Sequence, residues 1–189
     1  RLSDIPAGGL ILDLACGTGS VTLPLSELGY DMIGVDSSEQ MLSIAAAKKQ
    51  SGILWSRQDM RSFELYGTVD AAVCCLDGIN YLTRQEDVRA CFARVSLFMN
   101  KGGIFIFDVS SIYKYKNIIA QNDFILEDGN VLCAWRNSYN EKTRICTMNL
   151  SFFERQTNGL YRRTDECQRH KAYSVKRLKT LLEETGFTL

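Results

Sequence analysis

Apolar residues fall along the chain in two rhythms that take turns. Leu10 to Leu14, Met32 to Val35, Ile53 to Ser56, Val69 to Leu76 and Ile104 to Phe107 are short runs of strand type. The unbroken run from Val69 is the pattern of a central parallel strand covered on both faces. Between the runs, apolar positions recur at helical spacing. They do so in the amphipathic segment Ser20 to Leu28, then at Met41, Leu42, Ile44 and Ala45. They recur again at Val88, Cys91, Phe92, Val95 and Phe98, within Arg84 to Met99. Ser37 or Ser38 is placed to cap the second of these helices, and Lys101-Gly102-Gly103 breaks the last. Five strands alternating with helices over the first 110 residues predict an α/β fold with a doubly wound, mostly parallel sheet.

Past the fifth strand the period falls to two. Val131 to Arg136, Arg144 to Arg155 and Leu160 to His170 read as strands, with Cys146, Met148, Leu150 and Phe152 on one face. Asn158-Gly159 is a hairpin turn signal. These features predict a small antiparallel β insert, a lid subdomain spanning residues 111–170, within a main domain of residues 1–110 and 171–189. A helix resumes at Ser174 with Val175, Leu178, Leu181 and Leu182, Gly186 caps it, and a strand is expected from Phe187. The chain opens on Arg1 and stops at Leu189 just after that helix, so it reads as part of a longer protein with the last strands beyond it.

Composition narrows the function classes. The 22 basic and 22 acidic side chains balance, so no long-range field gathers nucleic acid. Seven cysteines without a CxxC pair, and one histidine, argue against a zinc site or a disulfide framework. They read as reduced thiols of a cytoplasmic protein, with Cys74 and Cys75 in a strand core. No apolar run nears the ~18 residues of a membrane span, and no targeting segment is visible.

Chemistry gathers where the first strand ends, in Asp13-x-Ala15-x-Gly17-x-Gly19. A dinucleotide-binding turn would put a third glycine where the chain has Thr22. The preceding acid also opposes a pyrophosphate at the helix start and favours a ligand carrying an ammonium or sulfonium. Asp36, at the end of the second strand, is placed to accept hydrogen bonds from a ribose diol. Asp59, past the third, could take one from an exocyclic amine, with Met60 against the ring. One acid at each of three successive strand ends, beside a glycine gap, describes a nucleoside with a cationic amino-acid tail.

At these residues the sequence resembles the class I S-adenosylmethionine-dependent methyltransferases, which have a Rossmann-like fold. Leu12 to Gly19 is similar to their first motif, Gly34-Val35-Asp36-Ser37-Ser38 to their second, and Gln58-Asp59-Met60 to their adenine-contacting motif. Cys75-Leu76-Asp77 falls where their fourth closes over the cofactor and faces substrate. The resemblance runs from Leu10 to Asp108 and implies S-adenosyl-L-methionine as cofactor. Its contacts would be Asp13, Ala15, Gly17, Gly19, Asp36, Ser37, Asp59, Met60 and Leu76, with the first acid anchoring the methionine end. Two departures stand out: Ala15 replaces a glycine common in the family and is expected to need no positive φ, and Pro24 is expected to kink the first helix.

Methyl transfer from a sulfonium asks the protein for alignment and a dry pocket more than for a catalytic group, and no general base is singled out. Asp77, Asn80, Tyr81 and His170 are the candidates to line the methyl acceptor's site. The stretch Leu76-Asp77-Gly78-Ile79-Asn80-Tyr81 lacks the Pro-Pro of enzymes that methylate exocyclic amines of nucleic-acid bases. The expectation is therefore transfer to N or O of a small metabolite by a monomer or homodimer, with no nucleic acid, membrane or metal involved. Two other readings compete. One is a non-catalytic module that binds the cofactor or S-adenosylhomocysteine as a sensor or scaffold. The other is a nicotinamide-dependent oxidoreductase, which Asp13 and the missing glycine disfavour.

Overall fold

In the computed structural model, which describes residues 4–48 and 52–189, the chain divides into two units. The first comprises residues up to 79, then 84–108 and 176–189. Its strands are β1 (Leu10–Leu14), β2 (Asp31–Asp36), β3 (Ile53–Arg57), β4 (Val69–Cys74) and β5 (Met99–Phe107). All pair in parallel, in the order β3-β2-β1-β4-β5. This is the doubly wound sheet that the patterning predicts, with β1 at its centre and Ile11, Leu12 and Leu14 fully buried. The reversal of order beside β1 opens the crevice at the strands' carboxyl ends where such sheets hold ligands.

The helices of this unit are α1 (Thr22–Glu27), α2 (Glu39–Ala47), α3 (Gln85–Leu97) and α4 (Val175–Glu184), the last belonging to it from Lys176. Ser38, rather than Ser37, caps α2, its hydroxyl accepting from the Met41 N–H at 3.3 Å. Val88, Cys91, Phe92 and Val95 form the buried stripe of α3, and Leu178, Leu181 and Leu182 that of α4.

Three expectations change. The first helix is six residues long and Pro24 lies in its opening turn, where a proline is tolerated, so there is no long helix for it to kink. α3 stops at Leu97, and Met99 already pairs with Val69. The register then jumps to Ala71 opposite Ile104, so Lys101-Gly102-Gly103 forms an irregularity inside β5 rather than the end of a helix. Gly102 supplies its positive φ of 82°, and the Asn100 amide donates to Asp70 Oδ1 at 2.8 Å. Lastly, Phe187 begins no strand: its N–H closes on the Leu182 carbonyl after Gly186, and its ring packs against Phe105.

The second unit, residues 80–83 and 109–175, is a four-stranded antiparallel sheet, β6 (Phe124–Asp128), β7 (Val131–Asn140), β8 (Ile145–Arg155) and β9 (Tyr161–Lys171), in sequence order. Strand β6 is absent from the expected set, although Asp128-Gly129 is a turn signal of the same kind as Asn158-Gly159. Cys146 and Met148 on β8 pack against Tyr115 and Ile119 of a π-helical turn (Lys114–Ile119), burying one face of the sheet at that end. Among the described residues, no helix is long and apolar enough to cross a membrane.

Candidate functional site

The site is built at the carboxyl ends of β1 and β2. Strand β1 ends in a turn that holds three left-handed residues in alternation, Ala15 (φ 55°), Gly17 (54°) and Gly19 (78°). Ala15 thus does adopt a positive φ, against expectation. The chain must bend off the strand one residue before the first glycine, because the Cys16 N–H still reaches the Val35 carbonyl at 3.1 Å. The family's glycine is replaced here by a residue held in a conformation it does not favour.

The two glycines serve different ends. A Cβ on Gly17 would meet nothing within 4 Å, so its backbone faces open space. One on Gly19 would lie 2.7 Å from the indole of Trp55, and one on Gly34 would lie 2.5 Å from the same ring. Trp55, on β3, is a packing block that both glycines leave room for. Sequence reasoning missed it, although a glycine inside β2 marks a close approach. Lys48, also missed, donates from Nζ to the Thr18 carbonyl at 2.7 Å, tying the turn to the end of α2.

Two carboxylates flank the turn. Asp36, half-buried, accepts from the Gly17 N–H on Oδ2 at 2.9 Å and from the Ser38 N–H on Oδ1 at 2.8 Å. Each oxygen keeps a further lone pair, so both can take another donor. Asp13 is 2 % exposed and accepts the Thr22 hydroxyl on Oδ2 at 2.6 Å. Burial, with Asp36 nearby, lifts its carboxyl to about 6 despite that bond. The Cys16 thiol is held protonated by burial and by the two acids, which removes it from nucleophilic chemistry.

The other expected cofactor residues follow the ends of β2, β3 and β4. Ser37 is exposed beside Asp36, and Leu76, 73 % exposed, follows β4 with φ 58°. Asp77 shares the left-handed conformation, and its N–H donates to Asp108 Oδ2 at 3.1 Å, stitching the ends of β4 and β5. Leu76 and Asp77 are non-glycine residues in a sparsely populated region, a strain that surrounding structure must hold. Met60 is half-buried past β3. Asp59, beside it, is gripped by Arg61, whose Nε lies 2.9 Å from Oδ1 and 3.1 Å from Oδ2, and this bond holds its pKa below the usual range. A donor from a ligand would have to share that carboxylate with the guanidinium.

Asn80, Tyr81 and His170 come together in the second unit. Asn80 is fully buried and used at both ends of its amide: it donates to the Ser110 and Lys171 carbonyls and accepts the Ser110 N–H. It braces backbone. His170, 6 % exposed, pairs through Nδ1 with the Tyr115 hydroxyl at 2.8 Å, and the Tyr81 ring lies 4.1 Å from its own. The Tyr81 hydroxyl meets Gln168 Oε1 at 3.2 Å.

Comparison with known proteins points the same way. The family model described as "Methyltransferase domain" matches residues 11–103, from β1 into β5. YqeM of Bacillus subtilis (strain 168), whose name describes it as a presumptive methyltransferase, is 35% identical over 191 residues, covering 99% of this chain and 76% of its own. The crystal structure of an S-adenosylmethionine-dependent methyltransferase from Clostridium acetobutylicum is 32% identical with a TM-score of 0.87, covering 97% of this chain and 74% of its own. An amino pentose methyltransferase from Micromonospora echinaspora, solved with S-adenosylmethionine bound, shares the fold at a TM-score of 0.78 and 20% identity, over 96% of this chain and 74% of its own. With two relatives alike over nearly its whole length, the chain belongs to the S-adenosylmethionine-dependent methyltransferases.

Proposed function

We propose that this methyltransferase binds S-adenosylmethionine at the turn between β1 and α1 and methylates a nitrogen or oxygen of a small metabolite. The observation that carries the cofactor assignment is the open backbone at Gly17 beside the carboxylate of Asp36. A ligand can approach there without meeting a side chain, and lone pairs stand ready for the two hydroxyls of a ribose. Exposed Leu76, fixed by the bend after β4, offers an apolar surface for a nucleoside ring. The negative charges of Asp36 and Asp13 suit a cationic ligand and oppose a pyrophosphate.

When bound, the cofactor supplies an electrophilic methyl group. The chain's own part is to orient, and holding reactants in alignment is worth up to about 7–11 kcal/mol. The turn is suited to it, pinned at Gly17 by Asp36, at Thr18 by Lys48 and under Gly19 by Trp55. The small-molecule reading draws on the amino pentose methyltransferase, whose fold this chain shares, and on the family pattern that Leu76 to Tyr81 lacks.

Calorimetry with S-adenosylmethionine, S-adenosylhomocysteine and NAD tests the cofactor. Both sulfur nucleosides are expected to bind and NAD is not, and Asp36→Ala is expected to weaken binding at least tenfold through loss of hydrogen bonds to a charged group. Binding of NAD alone would sink the assignment. A screen for methyl transfer over pools of metabolites then identifies the acceptor.

A further inference from the structure

The helix that follows the glycine turn has no cap of its own. Val21 stands at the capping position and makes no side-chain hydrogen bond, and six residues are too few for a helix to hold itself. What fixes its start is Thr22, fully buried, whose hydroxyl and backbone N–H both turn to the carboxylate of Asp13, nine residues back. Between these two residues lie Ala15, Gly17 and Gly19, whose left-handed conformations no local preference of the intervening sequence secures. Asp36 fastens the middle of that stretch and Asp13 its far end. Solvent scarcely reaches Asp13, so little of its carboxylate is presented to a ligand.

We propose that Asp13 is a positioning residue: a remote cap that fixes Thr22, and through it the glycine turn, in the shape that receives the cofactor. This rests on the cofactor reading above and differs from the anchoring role that the resemblance implies for the first acid. The groups facing Asp13 are Thr22 from α1, Asp36 from β2, Cys16 in the turn, and Cys74 and Cys75 from the end of β4. The three thiols are all pushed up and uncharged near neutral pH, which leaves Asp36 as the charged neighbour. With the Asp13 carboxyl lifted to about 6, protonation weakens its grip on Thr22 within reach of a binding titration. Affinity for the cofactor therefore falls as the pH drops through that value.

The test is calorimetry of the whole chain with S-adenosylmethionine between about pH 5 and 8. The unaltered protein should bind more weakly below about pH 6. Thr22→Val should bind about tenfold more weakly than the unaltered protein at pH 7.5, the size of a lost cap, and Thr22→Ser should restore binding to within about twofold. Asp13→Asn, which cannot ionise, should bind weakly with a flat pH profile, a signature that a merely structural loss would not give. Thr22→Val binding like the unaltered protein while Asp13→Asn binds weakly would make Asp13 a direct ligand and overturn the proposal. Should Thr22→Val fail to fold, a flat profile for the unaltered protein, or failure of Thr22→Ser to bind normally, overturns it equally. No binding of S-adenosylmethionine by the unaltered protein would instead remove the cofactor reading itself, and this proposal with it.

Discussion

At physiological pH the carboxylate of Asp13 is ionised in a place that penalises charge. Its native pKa is raised from 3.8 to about 6, mainly by burial. The unfolded chain releases that proton near 3.8, so between the two values the native state holds more proton than the unfolded one. Stability then falls as pH rises across this window, and above it the full cost, about 3 kcal/mol, is present. Asp13→Asn drops the charge and, as a neutral acceptor, holds the Thr22 hydroxyl more weakly than the carboxylate does. It is expected to raise the melting temperature at pH 7.5 and to flatten its change between pH 4 and 7, measured by calorimetric unfolding. A lower melting temperature at pH 7.5 would show the charge to be compensated. A residue that weakens the fold while the turn depends on it is the pattern of a functional position. Ala15 contrasts with it: its left-handed conformation depends on how the strand exits into the turn, which no property of alanine announces.

The elements around the turn are fitted to one another through Trp55. Strand β3 places the indole across Gly34 of β2, its register partner, and under Gly19 before α1. Gly34→Ala would put a methyl 2.5 Å from two ring atoms, and overpacking of this kind costs about 1–3 kcal/mol. In a double-mutant cycle with Trp55→Leu, denaturant unfolding should show the pair less destabilised than the two single changes added together. Additive losses would mean that the sheet yields there rather than the ring. Element boundaries were legible where local chemistry sets them, as with Ser38 before α2 and Asn158-Gly159 between β8 and β9. They were not where pairing sets them: the start of β5 at Met99 is dictated by Val69 opposite, thirty places earlier in the chain.

For the molecule as a whole, three aspartates mark what could be read in advance. Asp13, Asp36 and Asp59 lie at or just past the ends of β1, β2 and β3, as the alternation of strand and helix predicted, and Asp77 and Asp108 extend the row past β4 and β5. What Asp13 and Asp36 touch could not be read, because Thr22 and the Gly17 N–H reach them only through the fold, whereas Arg61 lies two places from Asp59. The antiparallel sheet was legible from its period of two, whereas Asn80 bracing Ser110 and Lys171 spans separations that no local pattern encodes. Binding at one edge stabilises the folded state by mass action. At a hundredfold excess over Kd, S-adenosylmethionine should add about 2.7 kcal/mol and raise the melting temperature by several degrees, measured by differential scanning fluorimetry. An unchanged melting temperature at that excess would contradict selective binding to the native state.

Trp55 and Trp135 are the chain's two tryptophans, one in each unit. Trp55 lies against the backbone of the glycine turn, and Trp135 meets Phe124 at a tilt, ring centroids 5.0 Å apart, in the antiparallel sheet. Each unit therefore carries its own intrinsic fluorophore, placed where nature has already chosen the spot. Replacing either one by phenylalanine leaves an emission signal that belongs to a single unit, so a change on adding S-adenosylmethionine can be assigned to one unit in an unlabelled protein.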